Sequence, residues 1–168
     1  MSVGASHARH FALVDDVVDH FDAAVTGLGP ELASRYAGLF AVSSVAVLEL
    51  ALKDVITGFA KSRDGVFGDY IEAKYASTNA RIKLTQIREE HLKPFGSMYV
   101  DNFNKHLARA ERLALKRYRF SVVQRYSNLI TCRHKFAHEG QATCTYGDAK
   151  DGFAAGKVVI WCLARSFV

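Results

Sequence analysis

The chain has 168 residues, of which 49% are hydrophobic and 23% are charged, with a formal net charge of +5. This length and composition are typical of one globular domain and exclude an intrinsically disordered chain. Only two prolines occur, Pro30 and Pro94, and the long periodic stretches are rich in Ala, Leu, Lys, Arg and Glu. We therefore expect an all-α protein whose residues 1–168 form a single domain.

Apolar residues recur at helical spacing along most of the chain. The pattern predicts helices over residues 9–26, 31–60, 67–75, 82–93, 98–115, 120–139 and 149–165. The second is apolar nearly all round, as expected of the central helix in a bundle. The last contains Val158-Val159-Ile160-Trp161, whose local propensity also fits a strand. We expect a bundle of four to five main helices with short additional helices.

The cysteines and the apolar runs indicate the compartment. The three cysteines are Cys132, Cys144 and Cys162. They form no Cys-x-x-Cys pair and are odd in number, which argues against a disulfide framework and against a thiolate zinc site. The segment Met1 to His10 lacks a basic region followed by an apolar run, so we expect no signal peptide. The most apolar segment, residues 39–52, is too short to span a bilayer. These features predict a cytoplasmic protein without membrane contact.

Positive charge is concentrated in the second half of the chain. Residues 1–80 contain 6 Lys/Arg and 10 Asp/Glu, a balance of −4, whereas residues 81–139 contain 13 and 5, a balance of +8. A local excess of this size favours phosphate backbones through counterion release, without selecting a sequence. A solvated basic helix face is the alternative that charge alone leaves open.

The sixth predicted helix ends in Arg133-His134-Lys135-Phe136-Ala137-His138-Glu139-Gly140. On a helical wheel Arg133 falls within the apolar stripe of this helix, which comprises Val122, Val123, Tyr126, Leu129, Ile130 and Ala137. A guanidinium there needs a carboxylate, a phosphate or a second subunit, because an unpaired buried charge is costly. Glu49, inside the apolar run of the central helix, is the candidate carboxylate. His134 and His138 are four residues apart and share a flank of the helix, and Gly140 suits a left-handed helix end.

The run from Asn128 to Gly140 resembles the signature of the HEPN superfamily, an arginine, four to six residues and then a histidine near the end of a bundle helix. The apolar helix over 40–59 with Glu49 at its centre and the Pro94-Phe95-Gly96 turn resemble ribonuclease-type HEPN domains of prokaryotic defence and toxin systems. The resemblance covers about residues 35–145. It implies a helical bundle that dimerises with its motif helices face to face. It also implies a metal-independent endoribonuclease site, without a cofactor, between those helices.

Carried over by position, Arg133 and His138 would be the catalytic pair. The arginine would stabilise the transition state, and the histidine would transfer protons while the 2′-hydroxyl attacks the phosphate and leaves a 2′,3′-cyclic phosphate. His134 occupies a position where the family usually has a polar residue, often Asn or Asp, and we assign it, with Glu49, a supporting role. Some HEPN toxins have a modified tyrosine two residues after the histidine. Here that residue is Gly140, so this mode of control is not implied.

The expected partners are RNA, a second copy of the chain and an antitoxin or defence-system protein. The candidate RNA-binding residues are Lys116, Arg125 and Lys135. The aromatic residues Tyr118, Phe120 and Tyr126 could stack on bases, but at helical spacing such residues are more often core.

Three alternatives remain open at this point. The chain could be a non-catalytic HEPN dimer that binds RNA, a nucleotide or a partner protein. Arg133 and Glu49 could simply join two helices, with both histidines at a solvated helix end. His134 and His138 could bind zinc with Cys132, since His-x3-His is suitable zinc geometry on a helix. Because Arg133 and His138 diverge by about 140° on the wheel, catalysis would require a dimer.

Overall fold

The computed structural model describes residues 7–76 and 81–168, which contain seven α-helices and no strand. The helices are α1 (Arg9–Val25), α2 (Pro30–Arg63), α3 (Gly65–Ala76), α4 (Leu84–Gln86), α5 (Ser97–Tyr118), α6 (Val122–Glu139) and α7 (Tyr146–Ser166). The all-α prediction is confirmed. Two segments lie outside the described part of the chain. They are residues 1–6, in the region expected to lack a signal peptide, and residues 77–80, in the predicted loop.

Most predicted helices agree with the structure to within a few residues. The exception is the helix expected over 82–93. It consists of the single turn α4, a π-helical segment Ile87–Leu92 and a 3₁₀ segment Lys93–Phe95. Residues 158–161, for which a strand was the alternative, lie inside α7.

The central helix α2 contacts α1, α3, α6 and α7, and its buried side chains form much of the hydrophobic core. The composition of α2 had indicated a helix covered on all sides, but one of its faces is exposed. An exposed stripe runs along one face and consists of Leu32, Leu39, Ser43, Ala46 and Leu50. The three leucines of this stripe are 43–50% exposed. Intervals of three, four and seven residues place the stripe on one side of the helix.

Helix α6 lies against both α2 and α7. Its N-cap is Ser121, whose Oγ accepts a hydrogen bond from the Gln124 N–H, and its C-cap is Gly140, whose φ of 69° is left-handed as predicted. Its buried face is centred between the two neighbouring helices. Cys132 is therefore buried and Phe136 half-buried, whereas Ala137, expected in the apolar stripe, is exposed.

Two glycines allow α6 to approach its neighbours closely. A Cβ on Gly152 of α7 would lie 2.6 Å from Leu129 Cβ and 3.0 Å from the Arg125 carbonyl oxygen. A Cβ on Gly38 of α2 would overlap the ring of Phe136. The position of α6 therefore depends on the absence of side chains at both crossings.

A disulfide joins Cys132 of α6 to Cys144, which corrects the expectation that no cysteines pair. After Gly140 the chain turns back beside α6, and this reversal brings the two Cα atoms to 5.8 Å. An odd number of cysteines does not prevent one pair from forming, and Cys162 is the buried free thiol. The cysteine pattern therefore does not indicate the compartment, and the cytoplasmic location stays a prediction.

Of the helices within residues 7–76 and 81–168, none combines the length and the apolar run required to cross a bilayer.

Replacing Gly152 with Ala should lower the free energy of unfolding by about 1–3 kcal/mol, because the new methyl group must displace Leu129 and the α6 backbone. Gly58→Ala is the matched control. No atom lies within 4 Å of its added Cβ, so it should be neutral or stabilising by about 0.5–1 kcal/mol. Urea denaturation monitored by circular dichroism measures both effects. Equal values for the two variants would contradict the close approach of α6 and α7.

Candidate active site on helix α6

Arg133 of α6 forms an ion pair with Glu49 of α2, as predicted from the sequence. Arg133 Nη2 lies 3.8 Å from Glu49 Oε1, and the side chains are 37% and 22% exposed. This distance exceeds hydrogen-bond length, so the contact is electrostatic and not a bidentate clamp. The guanidinium is therefore attracted to Glu49 without donating a hydrogen bond to it.

Burial raises the pKa of the Glu49 carboxyl above its ordinary value, and the positive charges of Arg133 and Lys53 only partly oppose this effect. Desolvation thus outweighs the attraction of the neighbouring cations. The ion pair therefore adds little net stability to the fold, because burial of the carboxylate costs more than its attraction to the cations recovers.

A cavity of about 370 Å³ opens beside this ion pair. Its lining residues are Val45, Glu49, Arg81, Ile82, Lys83, Gln86, Ile130, Arg133 and His134. Arg81, Lys83 and Gln86 were not among the residues predicted from the sequence, although both cations belong to the basic half of the chain. The charged residues that line the cavity are the cations Arg81, Lys83 and Arg133 and the carboxylate Glu49.

Two hydrogen bonds, one buried and one partly buried, hold the segment Arg81 to Lys83 against the core. The Tyr126 hydroxyl, fully buried, donates to the Ile82 carbonyl over 2.5 Å. His91 Nε2 lies 2.7 Å from the Arg81 carbonyl and His91 Nδ1 lies 2.6 Å from the Tyr75 hydroxyl. The carbonyl can only accept, so we assign the proton to Nε2, which leaves Nδ1 to accept from Tyr75.

Burial keeps both members of this network neutral. It lowers the pKa of His91 and, with help from the nearby Glu90 charge, raises the pKa of Tyr75 to about 12. The π-helical turn places His91 between Tyr75 and Arg81. The cations of the cavity are therefore positioned by a buried polar network.

The two histidines of the motif lie together at the surface. The ring centroids of His134 and His138 are 4.5 Å apart, and both side chains are exposed. His134 also lines the cavity, whereas His138 lies one turn beyond it and does not. Arg133 faces α2 and His138 faces solvent, in agreement with the divergence expected from the wheel.

The predicted RNA-binding residues are not gathered at this cavity. Arg125 pairs with Asp151 of α7 at 2.9 Å, on the other flank of α6. Lys116 lines a separate groove beside α5, and Lys135 is exposed on α6 but is not part of the cavity wall. Of the aromatic residues considered, Tyr126 is core, whereas Tyr118 is 60% exposed.

Among the described residues, no group of three or more His, Cys, Asp or Glu side chains is placed to bind a metal ion. Cys132, considered above as a zinc ligand with His134 and His138, is bonded to Cys144. As a disulfide it presents no thiolate.

No protein-family model matches the chain, and no curated protein or solved structure matches it significantly. The interpretation of this site therefore rests on its own geometry. Imidazoles can transfer protons near neutral pH, and a half-exposed guanidinium can bind nonbridging phosphate oxygens. Arg81 and Lys83 add positive charge beside that guanidinium. These groups suit a phosphodiester substrate.

Replacing Glu49 with Gln should leave the free energy of unfolding at pH 7.5 unchanged or raise it. The raised pKa means that the folded state binds a proton more readily than the unfolded chain, so the charged form of Glu49 disfavours folding. Glu49 therefore contributes most to stability at a pH below the pKa that it has in the unfolded chain, and this contribution is lost as the pH rises through its higher pKa in the folded protein. Glu49→Gln should lack this pH dependence.

Arg133→Met should destabilise the protein, most at high pH, because it leaves the carboxylate unpaired.

Urea denaturation at pH 7.5 and pH 5 checks these signs, with the double variant Glu49→Gln/Arg133→Met expected to recover most of the loss. A loss of stability in Glu49→Gln as large as that in Arg133→Met would instead show that the ion pair serves as a stabilising link between α2 and α6.

Proposed function

We propose that the protein is a metal-independent endoribonuclease of the HEPN type, in which Arg133 and His138 act on one phosphodiester and His134 assists. The observation that carries this proposal is the arrangement at the end of α6. Arg133 borders an open, cation-lined cavity without being hydrogen-bonded to Glu49, and His134 connects that cavity with His138. This joins a phosphate-binding group to two exposed proton-transfer groups on one helix.

The proposed reaction uses these groups in three roles. A histidine removes the proton of the ribose 2′-hydroxyl, whose oxygen attacks the adjacent phosphorus. The bond from phosphorus to the 5′-oxygen breaks, and a second histidine protonates that leaving group. Arg133 stabilises the negative charge that develops on the nonbridging oxygens. The products are a 2′,3′-cyclic phosphate and a 5′-hydroxyl, so the reaction consumes no water and requires no metal.

The divergence of Arg133 and His138 supports a site shared by two copies of the chain. A phosphate bound by Arg133 of one protomer would meet His138 of the other if the two α6 helices faced each other across a twofold axis. The exposed stripe of α2 supports such a dimer, because its leucines lie on the helix that holds Glu49 and remain uncovered in a single chain. An apolar stripe at three- and four-residue intervals is suited to pairing with its own copy.

A non-catalytic role is the second candidate, and the Arg133–Glu49 ion pair is the observation that favours it. That pair already gives the arginine a partner, and the cations of the cavity could bind a nucleotide or an RNA phosphate without chemistry. An antitoxin or defence-system partner and a cytoplasmic location are compatible with either function and remain proposals.

His138→Ala and Arg133→Ala should each reduce cleavage of RNA by about a hundredfold or more, because each removes a group used only as the phosphodiester reacts. Total RNA and a panel of labelled single-stranded and hairpin RNAs are incubated with purified protein in excess EDTA, and the products are tested for 2′,3′-cyclic ends. The wild-type protein should cleave at the same rate with and without EDTA.

His20→Ala is the matched control, since His20 is exposed on α1 and far along the chain from the motif. It should cleave as well as the wild-type protein. Equal activity in His138→Ala and wild type would overturn the proposal, as would the absence of cleavage by a folded wild-type dimer. Loss of activity in EDTA would point to a metal enzyme.

Leu39→Glu should convert a dimer into monomers and reduce RNA cleavage to the level of His138→Ala, because it places a charge in the centre of the exposed stripe of α2. Leu39 is 50% exposed, so the single chain should still fold. Leu13→Glu, at a position on α1 that is 61% exposed, is the control and should change neither property. Sedimentation velocity measures the mass; a Leu39→Glu protein that remains dimeric would show that another surface forms the interface.

A further inference from the structure

A second surface of the molecule lies away from the α6 histidines. A groove of about 690 Å³ runs along the C-terminal half of α5, beside the start of α6 and the middle of α7. Its lining residues are Ala110, Leu113, Ala114, Lys116, Arg117, Tyr118, Phe120, Val122 and Val158. Leu113 is 57% exposed. Contiguous exposed apolar surface of this kind typically marks an interaction site.

The charged side chains that line the groove are both positive. Lys116 and Arg117 form part of its wall, and none of the nine lining residues carries a carboxylate. The nearby carboxylate of Glu111 accepts a hydrogen bond from the Val123 N–H at the start of α6, and Asp151 pairs with Arg125. A partner with acidic residues around an apolar face would therefore complement this surface.

The shape of the groove fits a helix better than a nucleic acid. From Ala110 to Tyr118 the floor extends about 12 Å along α5, which is long enough for residues i to i+7 of a docked helix, about 10.5 Å apart. The rings of Tyr118 and Phe120 stack on each other, and the guanidinium of Arg125 covers Phe120 at 3.9 Å. Base stacking would have to displace these contacts, and the remaining floor is aliphatic.

From this surface we propose that the groove binds an acidic amphipathic helix of a partner protein. The apolar face of that helix lies on Leu113, Ala114 and Val158, and its Glu and Asp side chains face Lys116 and Arg117. This inference is independent of the proposed ribonuclease activity, because the groove lies on a different flank of α6 from His134 and His138.

The probe is a fluorescein-labelled synthetic helix of about fourteen residues with Leu at positions i, i+3, i+4 and i+7 and Glu elsewhere on its surface. A second peptide has Lys in place of every Glu. Fluorescence anisotropy with the full-length protein should show saturable binding of the acidic peptide, and binding of the basic peptide at least about tenfold weaker. Leu113→Glu should weaken binding of the acidic peptide by about tenfold or more.

Leu115→Glu is the matched control, because Leu115 is 46% exposed on the same helix but does not line the groove. It should bind the acidic peptide as the wild-type protein does. Equal binding of both peptides, no binding of either, or equal loss in Leu113→Glu and Leu115→Glu would overturn the proposal. Displacement of the acidic peptide by oligouridylate would assign the groove to RNA. Self-association that Leu113→Glu abolishes would assign it to a second copy.

Discussion

The desolvation of Glu49 is the constraint on which the proposed site depends. This carboxylate lies in the central helix, which packs against four others, and burial raises its pKa despite two neighbouring cations. A charge in that position requires a counter-charge from another helix, and Arg133 of α6 provides it at 3.8 Å. The arginine is thereby held at the edge of the core, where its guanidinium borders a cavity instead of extending into solvent.

This position of Arg133 has a consequence for the histidines. Residues that follow it by one and five positions point away from α2, so His134 and His138 lie on the exposed flank. A single chain therefore presents in different directions the arginine that we propose binds phosphate and the histidine that we propose transfers protons. The uncovered leucines of α2, with Leu39 at their centre, indicate how a second copy could bring the two together. We therefore propose that the exposed apolar stripe forms the dimer that brings Arg133 of one chain to His138 of the other.

The helices, the end of α6 at Gly140 and the pairing of Glu49 with Arg133 could be predicted from the sequence, because each depends on local periodicity or on a charge inside an apolar run. The place of Arg81 could not. It depends on a π-helical turn, on a hydrogen bond from His91 to the Arg81 carbonyl, and on a buried one from Tyr126 to Ile82, 44 residues away along the chain. The disulfide was missed for a similar reason: the reversal of the chain after Gly140 decides which cysteines meet.

The shared site that we propose requires Arg133 of one chain and His138 of another to act on the same phosphate. It is tested most directly by co-expressing Arg133→Ala and His138→Ala chains with different affinity tags and purifying the mixed dimer. Each parent homodimer lacks one group in both copies, whereas the mixed dimer retains one intact arginine and one intact histidine. We expect the mixed dimer to cleave RNA well above both parents. A mixed dimer as inactive as its parents, alongside an active wild-type protein, would contradict a shared site.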